Sequence, residues 1–522
     1  MCFVGASQNT FVPDDNFEQA LIDLGYDSGP LDNLVPTANI ANIINLDVSN
    51  KNISDLTGIE DFVALSNLNC NNNNLIFLDV TQNTNLTQLY CNFNQLNSID
   101  VTQNTALDIF WCENNNIGSL DVSQNIRLIS LITNNNPLNS LDVSNNIELN
   151  VFSCEANQLT TIDISKNINL KYVNVNYNYL TTLDTSKNIE LTDLACGDNL
   201  IAALDLATNT KLSRLFCARN PISELDVTKN INLEQLVFGD TQISSLDLSK
   251  NLKLKLLWCS KNLITELDLS NNSLLESLLC ADNNLTSLDL TNNKNLREFN
   301  CDYNPICYVN LKNGNNTNIV NYSSSNTTNL SCIFVDNVAY SVSNWTNVDN
   351  TSNFVTTQAE CDAYGNSTPP VDVLNNFIGN SFTLPVLNNG NYFTASGGNG
   401  TALSSGDVIT TSQTIYVFND TGCYTNESSF NVVITQDTYY IPKFFTPNND
   451  GSHDTWQVLD NSNTIHTIYI YNRYGKLLKS IAPNSEGWNG TFNGQAMESN
   501  DYWYAITLNT GEMIKGHFTL KR

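Results

Sequence analysis

The chain has 522 residues, which at about 150 residues per domain makes three to four domains and enough chain for several cores. It carries 23 basic against 52 acidic residues, a formal net charge of −29, so it repels phosphate backbones and anionic membranes and excludes nucleic acid as a partner. No run approaches 18 consecutive apolar residues, and His453, His466 and His517 are the only histidines, which excludes a membrane-spanning helix and removes histidine catalysis and histidine metal sites from residues 1–452.

Residues 1–8 hold five apolar residues at most and no basic n-region, and they read as the remnant of a truncated signal peptide, with the mature chain beginning near Gln8. Residues 9–60 read as an N-terminal cap and a first, atypical coil. An amphipathic helix is predicted over 15–24, with Phe17, Ala20, Leu21 and Leu24 on one face, Asp15 and Glu18 in capping-box-like positions, and Gly25 at its end.

Residues 61–312 are a repeat. A Leu/Ile-Asp dipeptide recurs every 21 residues with its aspartate running from Asp79 to Asp289, and the aligned coils read L-x-x-L-x-C-x-x-N-x-L-x-x-L-D-[VL]-[ST]-x-N. This pattern resembles the leucine-rich repeat family, with cysteine in a strand slot usually held by leucine. The physical reading agrees: a short strand such as Leu89-Tyr90-Cys91 turns its first and third side chains inward, and successive strands pair in parallel. Three residues past the cysteine an asparagine recurs from Asn73 to Asn304, broken only by Thr241, because its amide offers donors and an acceptor to turn backbone that no strand satisfies.

Nine cysteines fall in the inward slot, where Thr133, Val175 and Phe238 also occur, so the slot takes any small or apolar filler and a packing role is favoured over a metal or redox ladder. In-register parallel strands hold Cβ atoms at the strand spacing, which is too far apart for disulfides. Each ladder aspartate is expected to accept from the backbone of its own D-x-[ST]-x-N turn, a reading favoured over a row of weak calcium sites. Beyond Lys312 the pattern fails, and residues 313–364 read as the C-terminal cap of the solenoid. A bridge between Cys332 and Cys361 suits that polar segment in an exported protein, whereas Cys307 and Cys423 show no evident partner.

Residues 365–372, with Asn366-Ser367-Thr368-Pro369-Pro370, read as a linker. Residues 373–437 alternate apolar and polar residues between Gly/Asn turns and predict a small immunoglobulin-like β-sandwich. The predicted fold class is thus mainly β, a leucine-rich repeat solenoid followed by two small β-sandwich modules.

Residues 438–522 contain Phe445-Thr446-Pro447-Asn448-Asn449-Asp450-Gly451, Ile468-Tyr469-Ile470-Tyr471-Asn472-Arg473-Tyr474-Gly475, Gly487-Trp488-Asn489-Gly490 and Tyr502-Trp503-Tyr504 before a basic end, Lys521-Arg522. The module resembles the type B C-terminal sorting domain of the bacterial type IX secretion system, departing from its pattern at His453 and Glu498. The resemblance implies a partner in the type IX machinery, a location outside the cell or on its outer surface, and Asn448, Asp450, Gly451, Arg473, Tyr474, Gly475, Trp488 and Gly490 as the sorting motif. The loop 448–454 reads as a turn in preference to a cation site.

The functional expectation is a monomeric surface or secreted protein that binds a protein or glycan ligand through the concave face of the solenoid, with no catalytic residue, metal or cofactor assigned. The alternative, a secreted glycan-active enzyme, needs two unrepeated carboxylates in a cleft, whereas these acids come as a ladder outside the presumed concave face. Outward slots beside the buried cysteine are free of packing demands, and most hold Asn, Ser, Ala or Gly. Tyr90, Trp111, Phe216 and Trp258 stand just before the cysteine position and Tyr172 one outward slot earlier, with Arg214 and Glu113 in adjoining outward slots. These seven are the expected ligand-binding residues; the competing reading is that Tyr90 and Trp111 pack on each other and Trp258 packs on Phe238.

Overall fold

A computed structural model describes residues 8–364, 369–435 and 439–522. The chain divides between Gly365 and Asn366 into two compact units. Residues 1–7 of the expected signal remnant and 365–368, the first half of the expected linker, lie outside the described residues.

The first unit opens with a cap whose helix, Asp15–Asp23, is capped by Asp14, one residue earlier than expected. One Asp14 carboxylate oxygen accepts from the Asn16 and Phe17 N–H groups, and the other from Ser54 and Asp55, so the cap also ties the helix to the first coil. Phe17, Ala20 and Leu21 are buried, but Leu24 is exposed because the helix ends before it. Glu18 closes no capping box: it is fully buried and accepts from the Asp32 and Asn33 N–H groups, 2.8 and 3.1 Å away.

Fourteen short strands, from Asn45–Asp47 to Asn321–Ser323, then pair into one parallel sheet. Strand residues lie one position earlier than expected. In Gln88–Tyr90 the central Leu89 faces inward, and Cys91, just past the strand, returns to the core. Register advances by 21 residues at each step from Asn67 to Glu298, as Gln88 beside Ile109 and Ile109 beside Ser130 show. The leucines, the cysteine and the Val/Leu after each aspartate close a continuous apolar core in which the nine slot thiols are free and buried.

Two asparagine rails satisfy the turns. In the expected one, Asn94 Oδ1 accepts from the Leu75 N–H, and its Nδ2 donates to the Cys70 and Cys91 carbonyls, clamping two coils together. At the break, the Thr241 hydroxyl donates to the Phe238 carbonyl and to Asn262 Oδ1. The second rail, at Asn83, Asn104 and onward to Asn293, is the last residue of the D-x-[ST]-x-N turn, and it is fully buried. Each amide reaches back to two carbonyls, as Asn146 does to Val122 and Asn125 at 2.9 Å each. No protein donor reaches Oδ1 in ten of these residues. Asn209 differs: the hydroxyl of buried Thr185, in a slot held elsewhere by Val, Leu or Ile, donates to its Oδ1 at 2.8 Å.

The aspartates form turns. Asp79 Oδ1 accepts from the Thr81 N–H at 2.9 Å and from its hydroxyl at 2.7 Å. The backbone N–H two residues on, then the hydroxyl, holds the carboxyls of Asp121, Asp142, Asp163 and Asp184 below the ordinary range. The ladder is therefore compensated coil by coil.

Winding does not stop at Lys312. Asn321–Ser323 adds the fourteenth strand, and Ser287–Asp289, Tyr308–Asn310, Cys332–Phe334 and Asn353–Val355 form a second parallel sheet. The end of the core is closed by Trp345 stacked on Tyr322, ring centroids 4.4 Å apart, with its indole N–H donating to the Ile319 carbonyl. Cys332 and Cys361 are joined by a disulfide with Cα atoms 5.8 Å apart.

The second unit holds two small β-sheet modules. In the first, Gln413–Asp420 and Thr425–Ile434 form a hairpin at the heart of a five-stranded sheet over a core of Ile415, Val417, Phe430 and Val432. The second centres on Asn500–Leu508, paired with Met513–Leu520 and Ile465–Tyr471, over buried Trp456, Trp488, Phe445 and Phe518.

Candidate functional site

The outward strand slots form columns in register across the fourteen-stranded sheet, each step about 4.8 Å. The expected ligand residues fall into two patches. In the first, Tyr90 and Trp111 on adjacent coils meet edge to face at 5.1 Å, the Trp111 indole N–H donates to Ser130 Oγ at 3.0 Å, and the Tyr90 hydroxyl donates to Gln88. Both rings are half-buried by these contacts. Glu113 lies in the adjoining slot with one carboxylate oxygen buried and no donor in reach, and burial pushes its carboxyl up.

Trp258 stands seven coils further on, roughly 34 Å from Trp111, so the structure does not bring all the expected residues together. Its indole lies over the backbone of Gly239, where an added Cβ would come within 3.0 Å of Nε1, and it remains 38% exposed. The second patch also holds Tyr172, Arg214 and Phe216. Register places Asp193 between Tyr172 and Arg214 on three successive strands, and Arg214 pairs with Asp193.

Four residues of this patch escaped sequence reasoning. Asp193 is one; the others are Tyr177, Asp198 and Arg219, which repeat the Tyr-Asp-Arg triplet five residues further along the same three coils. Arg219 forms an ion pair with Asp198, donates to the Tyr177 hydroxyl at 3.2 Å and lies over the Tyr177 ring at 5.9 Å. The Asp198 hydrogen bond foremost keeps the Arg219 guanidinium charged by pushing its pKa up. The signal was present as identical letters five residues apart in three successive coils, visible when columns of the repeat are compared.

The second unit places the sorting residues at turns and in its core. Trp488 is buried, and its backbone exchanges two hydrogen bonds with Trp456, a partner that sequence reasoning did not single out. Gly490 sits at φ 76°, and a Cβ there would fall 2.6 Å from Leu520. Arg522 donates to the Gly490 and Met497 carbonyls, so the basic end is built into the module. In the loop 448–454, Asp454 accepts from the Asn448, Asn449 and Gly451 N–H groups, and Asp450 from Ser452. His453 adopts φ 55°, in the left-handed region that few side chains occupy. Arg473 lies over the ring of Tyr474, which is exposed, and Gly475 closes that turn at φ 75°.

These features define a parallel β-solenoid of leucine-rich coils followed by two small β-sheet modules. Residues 439–520 match the CHU_C type IX secretion signal domain, which marks the chain for export to the cell surface or the medium. The chain is similar to the solved functional domain of InlJ from Listeria monocytogenes, which includes a cysteine ladder, at 26% identity over 82% of this chain and all of that one, with a TM-score of 0.58. It shares its fold with an internalin, inlF, of Listeria monocytogenes strain F2365, at 24% identity over 58% of this chain and 94% of that one, TM-score 0.54. Among curated proteins it matches Internalin J of the same strain, 36% identical over 78 residues, which is 15% of this chain and only 8% of that protein's length. No helix among the described residues is long and apolar enough to cross a membrane.

Proposed function

We propose that this exported protein is a recognition or adhesion molecule whose outward strand face, the concave face of the solenoid, binds a protein or glycan partner, and that residues 438–522 serve to deliver it through the type IX machinery. The observation that carries this reading is the contrast within the rail: Asn, Ser, Ala or Gly fills most slots beside the cysteine, while Tyr172, Tyr177 and Trp258 stay exposed on the same face. Asp193, Glu155 and Asp302 on that face are committed to Arg214, Asn174 and Ser323, which leaves Glu113 without the second free carboxylate that glycoside hydrolysis needs and favours binding. The test has two arms. Deleting 438–522 should leave the protein in the periplasm of its host, and surface display without that module refutes the sorting role. Trp258→Ala should weaken capture of the partner by about 2 kcal/mol with an unchanged melting temperature; unchanged capture with a lowered melting temperature makes that ring structural.

A further inference from the structure

Within the outward face one window is built unlike the rest. Its two walls are Tyr172, Asp193, Arg214 and Tyr177, Asp198, Arg219, carried by the same three coils. Its centre is small: Ala195 and Gly197 on the middle coil, with Ala218 beside them and half-buried Phe216 at one corner. At the strand spacing, the window is about 10 Å across the coils and roughly 15 Å along them.

Three features select the occupant. First, each arginine is already neutralised by its own aspartate, so the window carries no net charge on a chain of −29. An acidic polymer is repelled by the surrounding field, and a cation finds the carboxylates engaged. Second, a paired guanidinium and carboxylate still present free N–H donors and free lone pairs side by side. That alternation matches hydroxyl groups, each of which donates and accepts, and it repeats on both walls. Third, Tyr172, Tyr177 and Phe216 surround the small floor with aromatic faces, the surfaces on which the C–H faces of sugar rings pack. A peptide finds no backbone edge here, because all three strands are paired on both sides.

We infer that this window binds a short neutral oligosaccharide, its hydroxyls bridged by the two Asp-Arg pairs and its ring faces packed on the tyrosines. The inference rests on the binding role proposed above and narrows it to one ligand class and one place. The test uses the full chain on a printed array of neutral and acidic oligosaccharides, followed by calorimetric titration with whichever neutral oligosaccharide is retained. Neutral sugars should be retained, and Ala195→Tyr, which fills the floor from an outward slot, should lower affinity tenfold or more, about 1.4 kcal/mol, with the melting temperature unchanged. Tyr177→Ala should act likewise, which guards against a misfolded floor variant. Retention of acidic sugars alone, or of none, overturns the inference. Neutral binding that survives Ala195→Tyr and is lost in Trp258→Ala also overturns it while leaving the face-binding role intact. A protein partner captured without any sugar, and released by Ala195→Tyr, keeps the window and overturns the ligand class.

Discussion

Asn146→Ala and Asn209→Ala remove the same side chain from the same slot three coils apart, yet the structure predicts different losses. In Asn146 the amide donates to the Val122 and Asn125 carbonyls, but each keeps a second donor, the Asn125 and Leu128 N–H respectively. Neither carbonyl is orphaned, so each lost bond costs only its net value of about 1 kcal/mol. The space left behind adds about 1 kcal/mol. Against this, truncation removes Oδ1, a buried acceptor that no protein donor reaches, and recovers about 1 kcal/mol. The sum is a loss of about 2 kcal/mol. Asn209 makes the same two donations, to the Thr185 and Asn188 carbonyls, but its Oδ1 accepts from the Thr185 hydroxyl. Truncation there recovers nothing and breaks a third bond, leaving the buried hydroxyl only the long contact to the Asp205 carbonyl at 3.5 Å, a loss of about 4 kcal/mol. Urea unfolding of the full chain followed by far-UV circular dichroism measures both. A double-mutant cycle with Thr185→Val should return a coupling of about 1 kcal/mol or more between Thr185 and Asn209. Equal losses in the two single variants, or no coupling in the cycle, would refute the reasoning.

The slot thiols give a second prediction. Burial pushes Cys70, Cys196 and Cys259 up to about 12, so a thiol reagent at neutral pH should label none of the nine until denaturant is added. Glu113 gives a third. Because burial raises its carboxyl in the folded state, the folded chain holds that proton more tightly, and stability falls as pH rises from the ordinary glutamate value through the raised one. Glu113→Gln should therefore stabilise the protein near neutral pH, with the gain vanishing in melting curves taken below about pH 4. The aspartate row runs the opposite way. Its carboxyls are held low when folded, so their contribution is present above the ordinary aspartate value and is lost as pH falls through the lowered ones; Asp142→Asn should be destabilising at neutral pH and nearly silent in strong acid.

The architecture was legible in the letters because a solenoid is nearly one-dimensional: a residue's neighbours stand 21 positions away, and alignment of coils is already a contact map. That is why the Asn94 rail, the cysteine slot and the aspartate turns were readable before any coordinates. The Asn104 rail was not. Asn104 closes a string of polar residues that looks like any solvated turn, and only closure of the coil over its neighbour removes it from water. Glu18 was misread for a similar reason, since helical spacing marks its place on the helix but not the loop at Asp32 and Asn33 that folds back over it. The winding beyond Lys312 escaped because its coils change length, from 21 residues to the 23 that separate Glu298 from Asn321, and a fixed period cannot follow them. In the candidate site, single aromatic residues and Arg214 stood out, but the paired triplets did not, because Asp193, Asp198 and Arg219 read as ordinary surface residues until register sets them beside Tyr172, Tyr177 and Arg214.

The stacking of coils has a mechanical consequence. Strands lie across the long axis, and each coil is bound mainly to its neighbours, so tension applied to the chain ends of the solenoid loads the interfaces one at a time instead of all at once. A coil that peels away occupies about 4.8 Å of rail while folded and releases 21 residues, roughly 70 Å of slack. A cell-surface molecule built this way yields in steps, lengthening by more than tenfold per coil while the coils still wound keep their outward face intact.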